Sequence, residues 1–317
     1  MNNNNSRRKA QSWPYPQHEA FEERLRQSNA DWFARRGCAV NKRMPYLLDR
    51  WEDWPQNIIL PEVALYIQSE RELCIQIRKP FPLHKYVHHG LSSQAMLFNL
   101  AGPLIVADNL KPLLEALRSI GVEWSSETGT AMFEMENREV FNEDAGQPTS
   151  IDLVIQNQDE PRPLFIESKL VEREFGGCSV FANGDCDGKN PLDDLGHCYL
   201  HHIGRRYWTL MQKYGFTEGL AGKSPICSFT AYYQFFREVI FALESGGIFV
   251  LLYDQRNPTF YCGESGERGL MPFLMSFVPQ ELKSRIHSIS IQQVVKTYQE
   301  VADFSWLEEF KKKYALD

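Results

Sequence analysis

Two apolar segments separated by a polar, proline-containing stretch lie near the middle of the chain. Residues Ser150–Gln156 (SIDLVIQ) and Leu164–Lys169 (LFIESK) are rich in β-branched and apolar residues, and Pro161 and Pro163 interrupt the sequence between them. Short apolar runs that are bounded by turn-forming residues are typical of strands. The pattern therefore predicts a β-hairpin whose strands carry charged as well as apolar side chains.

Most of the remaining chain has helical spacing of its apolar residues. Residues 247–254 (GIFVLLYD) are an exception, because they are almost continuously apolar, as expected for a strand covered on both faces. Residues 130–140 predict one further strand. Helices are predicted at residues 17–36, from the candidate N-cap Ser92 through SSQAMLFNLAGPL, and at 107–120, 194–214, 229–245, Ile291–Val301 and 306–314.

The composition is that of an ordinary globular protein. Of 317 residues, 43% are hydrophobic and 13% aromatic, so the chain can bury one large core or two modest ones. The N-terminus MNNNNSRRKAQSW lacks the apolar core of a signal peptide, and no window of about eighteen residues is uninterruptedly apolar, so we expect a cytoplasmic protein with no membrane partner. The net charge of −7 argues against a broad basic surface.

Charged residues in the predicted hairpin suggest a chemical site. Because strand side chains alternate between faces, Glu167 and Lys169 share one face. If the strands pair antiparallel, Asp152 lies alongside Glu167, and two carboxylates so close do not both stay ionised unless a cation bridges them. Mg²⁺ (or Mn²⁺) prefers oxygen ligands and lowers the pKa of a bound water, which can attack a phosphodiester while Lys169 orients it or neutralises developing charge. The alternative is a surface hairpin with a solvated Glu and Lys pair.

This arrangement resembles the PD-(D/E)XK nuclease superfamily and its restriction-endonuclease-like members. The resemblance rests on Asp152, a gap of fourteen residues, and the sequence Glu167-Ser-Lys169. Ile151 departs from the family pattern, which has a proline there, but that position supplies no ligand. The predicted order of elements over residues 92–254 is also similar to the superfamily's core.

The resemblance implies the fold class and the core, and the pattern of the chain outside the core indicates a tail and two additions. We expect an α/β (α+β) protein with a central mixed β-sheet flanked by helices, in which a restriction-endonuclease-like core carries helical N- and C-terminal additions. The expected regions are a disordered tail at residues 1–16, an N-terminal extension at 17–91, a PD-(D/E)XK nuclease core at 92–263 and a C-terminal helical appendage at 264–317.

The strand predicted at residues 130–140 offers a further acid. Alternation places Glu134 and Glu136 on one face, opposite Phe133 and Met135. Nucleases similar to this chain often recruit an additional glutamate, and Glu134 is the candidate third metal ligand. The alternative is that both glutamates are exposed charges at a sheet edge.

The helix predicted at residues 229–245 is apolar nearly all round, so its polar residues need partners. The resemblance implies a supporting catalytic role for a glutamine on this helix, which we assign to Gln234, and Arg237 would contact a substrate phosphate. A core amide bonded to backbone carbonyls is the alternative for Gln234. A Ser-Ser-Gln helix start resembles restriction-endonuclease-like proteins as well, so Ser93 and Gln94 could bind substrate, although helix capping is the preferred interpretation.

The seven cysteines indicate reduced thiols or metal ligation rather than a disulfide framework, because the chain shows no secretion signal. Four cysteines lie between the second hairpin strand and the helix predicted at 229–245, and they could bind Zn²⁺ or an iron–sulfur cluster: Cys178, Cys186, Cys198 and Cys227. Pairs spaced four residues apart on a predicted helix, His197 with His201 and Cys198 with His202, also allow a mixed Cys/His zinc site. Ordinary core cysteines are the alternative.

These residues favour a Mg²⁺-dependent endonuclease that hydrolyses DNA, of the kind used in restriction or defence, with nucleic acid as the partner. Two alternatives stay open. The chain could be an inactive nucleic-acid-binding or assembly module of the same fold, or a zinc-dependent hydrolase with Glu167 as general base. A homodimer would supply the two active sites that cleavage of both DNA strands usually needs.

Overall fold

A mixed β-sheet of five strands forms the centre of the structure, a computed structural model that describes residues 17–262 and 266–316. The strands, which lie side by side in chain order, are β1 (Thr130–Glu136), β2 (Ser150–Gln156), β3 (Leu164–Lys169), β4 (Ile248–Tyr253) and β5 (Ile286–Ser290). The tail predicted at residues 1–16 lies outside the described residues.

Both pairing directions occur in this sheet. β1, β2 and β3 pair antiparallel, while β4 and β5 run parallel to β3. The predicted hairpin is confirmed with the bounds that the sequence gives for β2 and β3. The predicted buried strand is confirmed as β4, all but the last residue of which is buried. The predicted fold class, a mixed sheet flanked by helices, is confirmed.

Helices cover the sheet on both sides. The α-helices are α1 (Gln17–Arg35), α2 (Pro61–Gln76), α3 (Ser93–Val106), α4 (Lys111–Ser119), α5 (Arg138–Phe141), α6 (Ser179–Ala182), α7 (Tyr199–His202), α8 (Tyr207–Lys213), α9 (Leu220–Lys223), α10 (Phe229–Glu244), α11 (Leu270–Met275), α12 (Ile291–Val301) and α13 (Leu307–Lys313). Short 3₁₀ helices lie at Trp51–Asn57, Leu195–His197 and Gln280–Arg285. Within the described residues, no helix is long and apolar enough to cross a membrane.

The alternation of side chains in β3 and β4 divides the core into two layers. Leu164 and Ile166 pack in one layer with residues of α1 to α4, α12 and α13. Phe165 and Phe249 pack in the other layer with residues of α8, α10 and α11. Residues from the predicted N-terminal extension, nuclease core and C-terminal appendage all pack in the first layer. The boundaries between these three regions stay predictions.

Several predicted elements differ from the structure. The helix predicted at 107–120 begins at Lys111, and β5 lies in the region predicted as a helical appendage, where it adds a strand to the central sheet. The strand predicted at 130–140 ends at Glu136, because the Asn137 side chain accepts a hydrogen bond from the Glu139 backbone N–H and starts α5. The helix predicted at 194–214 is three short pieces, which are a 3₁₀ turn, α7 and α8. Gly204, with φ +86°, interrupts it in a backbone conformation that a helix does not accept.

Gly247 fixes the approach of α10 to the sheet, and its replacement should destabilise the fold. A Cβ at this position would lie 2.2 Å from the Phe165 ring and 2.5 Å from the Pro163 carbonyl oxygen. Gly247→Ala should therefore lower the free energy of unfolding by about 1–3 kcal/mol in urea titrations. Gly219→Ala is the matched control, because a Cβ there meets no atom within 4 Å, and should change stability by less than about 0.5 kcal/mol. Equal stabilities of the two variants would contradict the packing described.

Candidate active site

The strand register brings three carboxylates together on neighbouring strands. The β1–β2 pairs on either side, Phe133 with Leu153 and Met135 with Ile151, bring Glu134 and Asp152 next to each other. The β2–β3 pairing ends with Leu153 and Ile166. One residue beyond that last pair, Asp152 lies opposite Glu167. The acids that are far apart in the sequence therefore form one row across β1, β2 and β3.

The Asp152 side chain continues the contact between β2 and β3 where backbone pairing stops. The backbone N–H of Ser168 donates to Asp152 Oδ2 at 2.8 Å. Asp152 is half-buried, and this bond holds its carboxylate at the end of the hairpin, next to Glu167. The sequence prediction that Asp152 lies alongside Glu167 thus agrees with the geometry.

Glu134 reaches the row because β1 is distorted at that residue. Its backbone has φ +55°, a left-handed conformation that costs a non-glycine residue about 1–3 kcal/mol. The predicted alternation is wrong here, since Phe133 and Met135 pack on different core layers instead of sharing a face. The Glu134 carboxylate is buried and accepts hydrogen bonds from Gln94 Nε2 at 2.6 Å and Ser150 Oγ at 3.2 Å.

The start of α3 holds the strained glutamate in place. Ser92 is the N-cap, as predicted, and accepts from the Ala95 N–H. The Gln94 amide also donates to the Pro82 carbonyl at 2.9 Å and accepts from the His84 N–H at 2.8 Å. Gln94 is therefore a neighbour of the carboxylates, and its predicted contact with substrate stays a prediction. Ser93, half-buried in the first turn, is likewise untested as a substrate contact.

Glu167 is held by two side chains of opposite kinds. Lys169 Nζ lies 2.7 Å from Glu167 Oε1, and Gln234 Nε2 donates to the same oxygen at 2.9 Å. Glu167 and Lys169 are both buried. Glu167 and Lys169 therefore share a face, as predicted. The side-chain amide of Gln234 donates to Glu167 and not to a backbone carbonyl.

Glu238 is a fourth carboxylate that the sequence reasoning missed. It lies one helical turn after Gln234 on α10 and is buried, and its Oε2 has no hydrogen-bond partner within the described part of the chain. A signal was present in the sequence: Glu238 is an acid in the nearly continuous apolar run FFREVIFALE, four residues after Gln234, and residues so spaced share a helix face.

Burial and mutual repulsion give these groups unusual acidities. Burial raises the pKa of Glu134 to about 7, and the negative charge of Glu167 adds to the rise. Burial and the same neighbour raise the pKa of Asp152 and of Glu238 well above their usual ranges. For Lys169, burial lowers the pKa, but the surrounding carboxylates, led by Glu167, raise it further than burial lowers it. The lysine is therefore protonated and the acids resist full ionisation.

This donor set fits a hard divalent cation. Carboxylate oxygens are the ligands that Mg²⁺ and Mn²⁺ prefer, and a cation would relieve the repulsion that raises these pKa values. Glu238 Oε2, buried and unpartnered in the described residues, is an oxygen that a cation would satisfy. Across residues 17–262 and 266–316, no three His, Cys, Asp or Glu side chains are placed so that they could hold a metal ion without moving. The assignment of a metal therefore depends on donor chemistry.

Arg237 belongs to a different network on the same helix. Its Nε donates to Thr149 Oγ1 at 3.0 Å, and its guanidinium group lies 4.8 Å from the centre of the Tyr233 ring. Glu143, 3.9 Å from the guanidinium group, accepts a hydrogen bond from the Tyr207 hydroxyl. The structure thus places Arg237 against the loop before β2, and its phosphate contact stays a prediction.

The four candidate metal-binding cysteines lie apart from the carboxylates. They line one small pocket in the segment between β3 and α10: Cys178, Cys186, Cys198 and Cys227. The histidines of the predicted mixed site are not among the lining residues. His197 is exposed, and the helix break at Cys198 separates it from His201.

Comparison with known proteins identifies the family. A family model described as REase-ARP, restriction endonuclease associating with ARP, matches residues 26–315. The chain belongs to this family. The match covers the sheet, all four carboxylates and Lys169, and it agrees with the restriction-endonuclease-like resemblance. Membership in REase-ARP supports a nuclease role for the protein. No curated protein and no solved structure matches the chain.

Removal of the Glu134 charge should change how stability depends on pH in the metal-free protein. Because the folded pKa, about 7, exceeds the ordinary value of 4.5, the folded state keeps a proton that the unfolded state loses between these values. The free energy of unfolding therefore falls as pH rises through this window. Glu134→Gln preserves the shape and should reduce that fall by up to about 3 kcal/mol in urea titrations with chelator.

The exposed Glu139 provides the control for this experiment. Glu139→Gln removes the same charge from the protein surface, three residues beyond β1, and should follow the wild-type stability curve. A Glu134→Gln curve parallel to wild type from pH 4.5 to pH 7 would show that this carboxyl group is not the source of the effect.

Proposed function

We propose that this protein is a Mg²⁺- or Mn²⁺-dependent endonuclease of the PD-(D/E)XK type that hydrolyses phosphodiester bonds of DNA in restriction or defence. The observation that carries the proposal is the convergence of Asp152, Glu167 and Lys169 at one end of the hairpin. Membership in REase-ARP supports the nuclease class. DNA as the substrate and the identity of the metal go beyond that family assignment.

In this proposal Asp152 and Glu167 hold the cation, and Glu134 or Glu238 adds an oxygen. A bound divalent cation would activate a water molecule and neutralise negative charge at the phosphate. Lys169 stays protonated, so its ammonium group can donate a hydrogen bond to the phosphoryl oxygen that gains charge. Gln234 orients Glu167 through its amide, and α10 thereby fixes the position of the carboxylate.

The loop before α3 is suited to contact the DNA backbone. Lys85 and Tyr86 are exposed, and the Lys85 ammonium group lies 4.8 Å from the centre of the Tyr86 ring. The adjacent His84 is coupled electrostatically to Lys169 and is tied through Gln94 to the carboxylate row. A cation and an aromatic ring beside the site match the chemistry that holds phosphates and bases, although the whole chain is acidic.

An inactive nucleic-acid-binding module is the second candidate, and the Lys169–Glu167 ion pair favours it. A glutamate engaged by a buried lysine at 2.7 Å is less available to a metal. Calorimetry separates the two: an enzyme should release or absorb heat on titration with Mg²⁺ or Mn²⁺, and Asp152→Asn should remove that heat. A wild-type protein that binds DNA and gives no metal heat would establish the module instead.

The main prediction concerns the two acids. Asp152→Asn and Glu167→Gln should each reduce Mg²⁺-dependent cleavage of plasmid and linear DNA by at least about 100-fold, because each removes a negatively charged ligand without changing shape. Asp159→Asn is the matched control, since Asp159 is exposed in the turn of the same hairpin, and should cleave like wild type. Activity that survives chelator, or that persists in Glu167→Gln, would overturn the assignment.

Lys169→Met should separate metal binding from turnover. The substitution removes the ammonium group that competes for Glu167, so Mg²⁺ should bind at least as tightly in calorimetry as it does to wild type. Cleavage should nevertheless fall by about 100-fold or more, because the charge near the phosphate is lost. A variant that cleaves at the wild-type rate would show that Lys169 has only a structural role.

Cleavage of both strands of a duplex favours a homodimer with two active sites. Sedimentation of the wild-type chain with and without duplex DNA tests this part of the proposal. A chain that stays monomeric while it makes double-strand breaks would contradict it.

A further inference from the structure

Four cysteines converge on one pocket that has no part in the proposed nuclease site. Two of them are buried, Cys178 and Cys227, and the other two, Cys186 and Cys198, are half-buried. The pocket has room for about one water-sized occupant, about 20 Å³. Its other lining residues are mainly apolar, and the Thr230 hydroxyl, which also belongs to it, donates to a backbone carbonyl. Sulfur atoms are therefore the main ligand atoms available.

Backbone N–H groups are directed at the sulfurs of three of these cysteines. Gly188 N–H donates to Cys186 Sγ at 3.4 Å. Backbone N–H groups also favour negative charge on Cys178, from Phe181 and Val180, and on Cys227, from Phe229, although burial raises the pKa of both thiols. A neutral thiol gains little from such donors, whereas a thiolate is stabilised by them. Burial favours the neutral thiols, so these donors offset only part of the cost of forming thiolates, and a bound cation would have to supply the rest.

The backbone also ties the cysteine-bearing loops together. The Cys178 N–H donates to the Phe229 carbonyl at 2.8 Å, and the Cys227 N–H donates to the Gly188 carbonyl at 2.8 Å. Gly177 allows this approach, because a Cβ there would lie 2.3 Å from the Thr230 carbonyl oxygen. Three of the four sulfur-bearing segments thus meet through main-chain contacts and not only through flexible side chains.

The segment that holds the cysteines has little regular structure to stabilise it. Between β3 and α10 its α-helices are four to seven residues long, below the length at which helices are stable alone. Its second half packs into the second core layer through α8, whereas the first half, which carries Cys178, Cys186 and Cys198, has few buried side chains, and a cross-link would stabilise it. A metal ion that joins residues 178 to 227 would supply the cross-link.

We propose that Cys178, Cys186, Cys198 and Cys227 bind one structural Zn²⁺ ion. The four cysteines line the pocket, but among the described residues no three such side chains are placed to hold a metal ion as they stand, so binding has to draw the four side chains together and release their thiol protons to solvent. Four thiolates around Zn²⁺ form a closed tetrahedral site, which is the structural rather than the catalytic type. The ion stabilises the segment before α10, the helix that carries Gln234, and takes no part in cleavage.

The first experiment measures metal in the full chain purified without added zinc or chelator. Elemental analysis should find about one zinc per chain, and a thiol reagent should find four more reactive cysteines after zinc is removed with a strong chelator. Replacement by Co²⁺ should give the intense visible absorption of tetrahedral thiolate coordination. This last measurement uses the wild-type sequence and does not depend on whether a variant folds.

Substitutions then assign the ligands. Cys198→Ser and Cys227→Ser should each lower the zinc content at least about tenfold and lower the thermal midpoint, because serine is a poor zinc ligand. Cys74→Ser, which changes a half-buried cysteine of α2 outside the pocket, should keep both at wild-type values. Asp152→Asn should also keep its zinc, so loss of cleavage and loss of zinc are separable results.

Three outcomes would overturn the proposal. If the wild-type protein contains no zinc and a thiol reagent titrates all four pocket cysteines, these residues are ordinary core cysteines. Iron and sulfide with a visible chromophore would show a cluster instead. Zinc that is retained in full by folded Cys198→Ser and Cys227→Ser variants would place the ion elsewhere in the molecule.

Discussion

The arrangement at the end of the central hairpin depends on the crowding of four carboxylates, Glu134, Asp152, Glu167 and Glu238, beside one buried ammonium group. The charge of Lys169 acts on Asp152, Glu167 and Glu238, whereas the charge that acts on Glu134 is the negative charge of Glu167. Charges taken out of water are costly unless they are paired, and one lysine does not balance four acids. The protein therefore holds part of the site protonated, or it holds a divalent cation. The proposed nuclease chemistry is the second of these states.

The rest of the fold can be understood as support for that crowding. The antiparallel pairs set the row across β1, β2 and β3, and the parallel pairing of β3 with β4 buries the strand that carries Glu167. α3 contributes Gln94 to hold Glu134 in a strained backbone conformation, and α10 contributes Gln234 from the other layer. Strain at a residue that is fixed by its surroundings is common at functional sites. Here both core layers contribute one amide each to the same cluster of acids.

The cysteine pocket and the carboxylate site use opposite ligand chemistry, and α10 connects them. Oxygen ligands at the hairpin suit a hard cation that exchanges, whereas sulfur ligands around a small apolar pocket suit Zn²⁺ that stays bound. The two sites meet at α10, since Cys227 precedes this helix and Gln234 lies on it. A zinc ion in the pocket would fix the start of α10, and the helix would then fix Glu167. The family assignment to REase-ARP includes both sites within its matched range.

The sequence alone determined the hairpin, the buried β4 strand and the common face of Glu167 and Lys169, because strand alternation and turn residues are local properties. It also identified Asp152 as the partner acid, since antiparallel pairing follows from a short turn. Only the tertiary structure decided that Glu134 leaves the regular alternation, that Glu238 joins from α10, and that Arg237 packs against a different loop. Those outcomes depend on strand distortion and on the rotation of a helix against the sheet, which residues distant in sequence fix by packing. The local sequence pattern specifies neither the strand distortion nor the rotation of the helix.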